Sequence, residues 1–182
     1  PWPYLLILGG LGYFAAIILQ LGGTALLSGS LASLINSLNP VMISILAAVF
    51  LKEKITWKNV LSIVVSLIGV YIILGNGSMQ INPLGILLSA GAVVLWSAAS
   101  VSIRKLSGYY DPVQIALYGM CIALLFNIPA AGLENIFMTQ SHPTAVALLA
   151  CLFVAVFGTA VAHTCWNKSL QLLSASTCSM FY

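Results

Sequence analysis

Three short constellations hold most of the side chains that could do chemistry within apolar sequence. They are Asn36, Asn39 and Pro40; Trp96, Ser97 and Ser100; and His163 with Thr159 and Trp166. None has the make-up of a reaction centre. Ser28-Gly29 lacks the preceding glycine of an intramembrane GxSG serine site, and Asp111 and Glu134 fall in loops on opposite sides. No histidine–carboxylate cluster has metal-ligand spacing. Cys121, Cys151, Cys165 and Cys178 form no CxxC and sit in or beside apolar runs, as small reduced core residues do. Neither an enzyme nor a metal or cofactor is expected. What remains is non-covalent chemistry: amides that hydrogen-bond, an indole wall and an imidazole, a set suited to holding a small solute.

Each constellation has two readings. Asn36 and Asn39 are costly in hydrocarbon unless partnered, and Pro40 frees a backbone carbonyl one turn earlier. A lined cavity answers both needs; so do hydrogen bonds to a neighbouring helix, with Pro40 as a plain kink. Trp96, Ser97 and Ser100 recur at helical spacing, with Arg104 one turn further along the same face. They form either the aromatic wall of a pocket or core packing, and Arg104 reads as an anchor at the membrane interface. His163 is the ionisable side chain that falls inside a run, which makes it a functional position by default. Lying five residues before Lys168, it also fits an interfacial histidine on the order of 7 Å from the boundary. Gln20, Tyr118, Trp166 and Tyr182 complete the polar and aromatic set that could face a central cavity. Ser62, Ser66 and Gly69, and Gly85 with Ser89, form small-residue stripes for close helix packing.

The elements that position these residues follow from the solvent that the composition demands. The 182 residues include six basic and three acidic side chains, where a soluble domain of this size has roughly 45 charges. With 61% hydrophobic residues and a mean hydropathy of +1.09, too little polar surface remains to cover a water-facing globule, so lipid is the solvent. Disorder and a nucleic-acid surface are excluded on the same grounds. Apolar runs span 4 to 25, 30 to 51, 58 to 75, 83 to 103, 112 to 132 and 144 to 166, and a seventh begins near 175. Only helices satisfy their own backbone at these lengths in a bilayer. Pro83, Pro112 and Pro143 sit where first turns want proline, Ser28, Ser30, Ser174 and Ser176 offer caps, and Asn76-Gly77-Ser78 closes the third run. Short connections make consecutive spans antiparallel neighbours. Lys52, Lys54 and Lys58, then Arg104 and Lys105, then Lys168 occupy alternate loops, while the other loops lack Lys and Arg. The loops 52–58, 104–111 and 167–171 are therefore expected to be cytoplasmic.

An internal repeat adds a constraint. Leu26-Leu27-Ser28-Gly29-Ser30 reads like Leu172-Leu173-Ser174-Ala175-Ser176 at an offset of 146, and Gly12 and Ala16 align with Gly158 and Ala162. The first two runs then correspond to the sixth and seventh. Equivalent helices stand five places apart along the chain, an odd shift, so the repeat is inverted in the membrane, as in many carriers. Chance likeness among common membrane residues is the competing explanation. On the repeat, the first copy lacks two opening spans and the second its end, which implies an intact protein of ten. The start at Pro1-Trp2-Pro3, without Met or a signal-like stretch, and the stop at Tyr182 inside a helical pattern also read as cut ends.

The stretch Ser30 to Pro40, the apolar run to Phe50-Leu51-Lys52-Glu53 and the stretch Ile63 to Leu74 resemble the EamA family of the drug/metabolite transporter superfamily. Trp96 ahead of Arg104-Lys105, and His163 to Ser169 followed by Leu172 to Ser176, are similar to that family's second half, and the likeness covers nearly the whole chain. Glu53 matches the family's acidic residue at the end of this span; between Lys52 and Lys54 it reads as paired at the interface. The resemblance implies ten helices, both termini cytoplasmic, and export or exchange of small metabolites. The expected architecture is an all-α integral membrane bundle of antiparallel helices with inverted repeats, here six full spans and the start of a seventh. Residues 1–76 would be the last three helices of the first repeat and 82–182 the second repeat, truncated. Expected partners are a small-molecule substrate, plasma-membrane lipid and the missing helices of the same chain; a homodimer is compatible. A lipid-linked flippase and a non-transporting structural membrane protein are the alternatives. No carboxylate falls mid-span, so the usual device of a proton-coupled carrier is not in view.

Overall fold

The computed structural model describes residues 1–54, 56–75, 82–137 and 144–181, and over these the chain is helical with no strand. Each apolar run becomes a helix: α1 Trp2–Leu26, α2 Gly29–Leu51, α3 Trp57–Gly75, α4 Pro83–Leu106, α5 Pro112–Phe137, α6 Ala145–Leu172 and α7 Ala175–Ser179. Among the described residues, five helices are long and apolar enough to cross a membrane: α1, α2, α4, α5 over Pro112–Glu134, and α6. The starts are set by side chains that take over orphan N–H groups. Ser28 Oγ accepts from Leu31 N at 3.3 Å, Ser174 Oγ from Thr177 N at 3.1 Å and Asn82 Oδ1 from Leu84 N at 3.0 Å. Ser30 and Ser176 lie inside the first turns instead, Pro83 opens α4, and Thr144 caps α6. Pro143 and Asn76 to Ser78 lie outside the described residues.

The core forms where α1 meets α4. Gly12 packs against Ala99 and Gly23 against Ser89, so α1 and α4 run antiparallel. A Cβ on Gly23 would also come within 2.9 Å of the Ser89 backbone N, which is why only glycine serves there. Gly85 and Ser89 thus do the packing expected of them, with Gly85 under Leu27; among the described residues nothing comes within 4 Å of a Cβ placed on Gly69 of α3. Leu8, Tyr13, Ile43, Ile103, Leu106, Ile115 and Leu170 fill the centre. α6 buries none of its apolar window within the described residues, as a lipid-facing surface allows.

Polar contacts tie one end of the bundle. Lys105 Nζ donates to Tyr4 Oη at 3.1 Å, Asn167 Nδ2 to the Pro112 carbonyl at 3.3 Å, and Arg104 to the carbonyls of Leu170 and Gln171 at 3.0 and 3.1 Å. Lys52, at φ 55, turns the chain out of α2 in the left-handed region. Glu53 then accepts from Ala175 N, Ser176 N and Ser176 Oγ, each at 3.1 Å, and lies 3.8 Å from Arg104 Nε. Arg104 therefore ties the ends of α2, α4 and α6 together. These contacts gather the starts of α1, α5 and α7 with the ends of α2, α4 and α6.

Three irregularities interrupt the helices. α1 widens into π-helix over Ile7–Ala15, and α6 does so over Val154–Val161, each returning to α-helix immediately afterwards. α2 is two half-helices, Gly29–Asn36 and Asn39–Leu51. Ser37 Oγ donates to the Leu34 carbonyl at 2.6 Å, and Pro40 stands in the first turn of the second half. The break thus falls just before the proline, which starts a helix rather than kinking one.

Candidate functional site

Where α2 breaks, a cavity of about 240 Å³ opens between α1, α2, α4 and α6. Its polar lining is Gln20 from α1, Asn36 and Asn39 from the two sides of the break, Trp96 from α4 and His163 from α6. Ala16, Ile17 and Ala92 supply the apolar remainder. Asn36 is the last residue of the first half-helix and Asn39 the first of the second. The break therefore turns both amides toward one space.

Aromatic rings back this space. Tyr13 and Trp96 stack at 6.2 Å with 28° between planes, and the His163 ring stands perpendicular to both, at 4.6 Å from Tyr13 and 5.5 Å from Trp96. His163 Nδ1 lies 2.8 Å from the Thr159 carbonyl one turn back. A carbonyl only accepts, so Nδ1 carries the proton and Nε2 is the nitrogen left for a ligand. Gln20 Nε2 donates to Thr24 Oγ1 at 3.3 Å, and that hydroxyl donates to the Gln20 carbonyl at 2.8 Å.

Three lining atoms are buried and without a partner among the described residues: Gln20 Oε1, Asn39 Oδ1 and Trp96 Nε1. Each unmet group costs about 1–3 kcal/mol. Such a concentration of orphaned polar atoms around one cavity marks where a guest would relieve the cost. No Asp, Glu, Lys or Arg lines it among the described residues.

The other residues singled out in the sequence lie elsewhere. Ser97 and Ser100 are buried and donate to carbonyls of their own helix, Val93 at 2.7 Å and Trp96 at 3.1 Å. Pro40 is buried, its carbonyl accepting from Ser179 Oγ at 3.4 Å. Trp166 lines a separate cavity of about 410 Å³ with Cys165, Ser169 and Cys178. Tyr118 lines a third of about 290 Å³ and meets Tyr110 edge-on at 5.5 Å. Both of these are larger, but neither collects unpartnered amides from several helices. Tyr182 lies outside the described residues. Tyr13 went unread in the sequence, where one tyrosine in an apolar run carries no signal; its neighbour Gly12, aligned in the repeat, was the nearest hint.

Comparison with known proteins gives this arrangement a family. A solved crystal structure superposes with a TM-score of 0.79 over 99% of this chain and 62% of its own, at 21% identity, which speaks to the fold. The uncharacterised transporter YyaM of Bacillus subtilis is 28% identical over 97% of this chain and 60% of its own length. A protein of Streptantibioticus cattleyicolor named a probable terminal-alkyne amino-acid exporter is 24% identical over 98% of this chain and 60% of its own length. The chain thus spans about three fifths of these curated relatives. The model of the EamA-like transporter family matches residues 1–75 and 83–182, nearly the whole helical bundle around the cavity. This helical bundle with a polar cavity at its broken helix therefore has a family: the chain belongs to the EamA-like transporter family.

Proposed function

We propose that the protein containing this chain is a carrier that exports or exchanges small neutral or zwitterionic organic solutes, amino-acid-like ones among them, by alternating access rather than a catalyst. The observation that carries this is the cavity between four helices with unpartnered amides at the α2 break. At about 240 Å³ it is smaller than the usual range for drug-sized ligands, which fits an amino-acid-sized solute better than a lipid. Its lining holds no Asp, Glu, Lys or Arg among the described residues, so a multiply charged solute would be stripped of water without an ionic partner. The relative named a probable amino-acid exporter favours the same class.

The carrier works through two inverted repeats, residues 1–76 ending the first and 82–182 opening the second, with α3 as a further span. Local geometry supports the repeat at the offset of 146. Leu27 and Leu173 leave their helices at φ/ψ of −119/166 and −120/165, Ser28 and Ser174 cap at −67/148 and −66/151, and both are preceded by π-helix and then α-helix. Gln20, Asn36, Asn39, Trp96 and His163 form the solute site, and rocking of the halves about it exposes alternate sides. Lys52, Lys54, Arg104, Lys105 and Lys168 near one end favour that end as cytoplasmic in a plasma membrane. The deciding measurement is efflux of labelled solutes from proteoliposomes holding the full-length protein. Asn36→Ala and Trp96→Ala at equal abundance are each expected to lower the rate about tenfold or more. Failure to carry any solute overturns the reading.

A further inference from the structure

We infer that the cavity selects its solute by an amine: a protonated amino group sits against the Trp96 ring and donates to Gln20 Oε1, Asn39 Oδ1 and His163 Nε2. This rests on the carrier reading above and names the chemical group that the site reads.

The argument is a count of hydrogen-bonding polarity. Thr24 has a single hydroxyl hydrogen, and it goes to the Gln20 carbonyl at 2.8 Å. Thr24 Oγ1 can then only accept from the Gln20 side chain, so the amide nitrogen faces Thr24 and Oε1 is the free end. The same logic fixes His163: with Nδ1 donating to Thr159 at 2.8 Å, the neutral ring presents a lone pair on Nε2. Asn39, 1% exposed, adds a second amide oxygen with no donor among the described residues. Three acceptors contributed by α1, α2 and α6 thus line a space whose one fully buried unpartnered donor is the indole N–H of Trp96, with the amide nitrogens of Asn36 and Asn39 as further donors.

An ammonium group matches this set in two ways. It brings three N–H donors, one for each acceptor, and its charge is attracted to an indole face. A carboxylate matches it less well, because the lining offers it no cation and only the neutral N–H groups of Trp96, Asn36 and Asn39. Arg104 offers no such partner, being committed to the carbonyls of Leu170 and Gln171 and to Glu53.

The test uses three probes on one skeleton: L-valine, isobutylamine, which keeps only the amine, and isovalerate, which keeps only the carboxylate. Equilibrium binding is measured to the full-length protein in lipid nanodiscs. Isobutylamine and valine are expected to bind about tenfold or more tighter than isovalerate. Gln20→Leu and His163→Phe should each weaken isobutylamine about tenfold and leave isovalerate unchanged. Should either variant misfold, Gln20→Glu serves in its place, since an added negative charge should tighten isobutylamine binding and weaken isovalerate. Isovalerate binding as tightly as isobutylamine, none of the three binding, or Gln20→Glu failing to favour the amine overturns the inference. Proteoliposomes that carry carboxylates in preference to amines defeat this inference and leave the carrier reading standing; proteoliposomes that carry nothing defeat the carrier.

Discussion

Glu53 does with one carboxylate what usually takes two residues. It receives the first N–H groups of α7 at 3.1 Å and lies 3.8 Å from the arginine that holds the last carbonyls of α6. Both sides of the turn at Leu173-Ser174 are thereby fastened to the end of α2. Glu53→Gln keeps the shape but loses the charge and one acceptor, which predicts a loss of about 1.5–3 kcal/mol. A lower thermal midpoint of the purified full-length protein is the readout, and an unchanged midpoint would show the carboxylate to be idle. Only half of this was legible. A charged residue at the end of a span beside Lys52 and Lys54 reads as an interfacial pair, but its partners stand 122 and 123 positions later, beyond any local pattern. Ser97 and Ser100 went the other way. Their spacing suggests a pocket face, yet a serine in a helix can bond the carbonyl one turn back, and both do.

The elements were the more readable level, because run length against bilayer thickness leaves little freedom. The apolar runs and Ser caps located the starts of α1 to α7 to within two residues and their ends to within about six, whereas the interruptions inside them were harder. Pro40 was visible, but the break sits at Ser37 and Leu38, where the backbone tightens, Leu38 N bonding the Ile35 carbonyl at 3.0 Å, and the Ser37 hydroxyl adds a bond to the Leu34 carbonyl. Restoring an N–H by Pro40→Ala should let α2 run on, raising the thermal midpoint while lowering efflux. Equal efflux in that variant would mean that the break is not needed for transport. Gly23→Val tests the α1–α4 seam, since its side chain would enter the Ser89 backbone. A loss of about 1–3 kcal/mol or more is expected from overpacking, measured by denaturation in detergent.

At the scale of the whole molecule, the end contacts group residues that membrane sidedness must also group. Cysteine labelling of the full-length protein, in a background without Cys121, Cys151 and Cys165, which are exposed, should tag positions 52 to 58 from one side only. Positions 75 to 82 should react only from the other; reactivity from a shared side would break the topology. The widened stretches of α1 and α6 bear on how such a molecule could move. Ile7–Ala15 ends five residues before Gln20, and Val154–Val161 ends two residues before His163. A π turn holds one surplus residue, and tightening it to an α turn screws the rest of the helix round by about 100°. Gln20 and His163 sit downstream of these two stretches, so winding alone would swing both polar groups out of the cavity with the loops held still. A corkscrew of this kind would let the site release its guest without separating the helices.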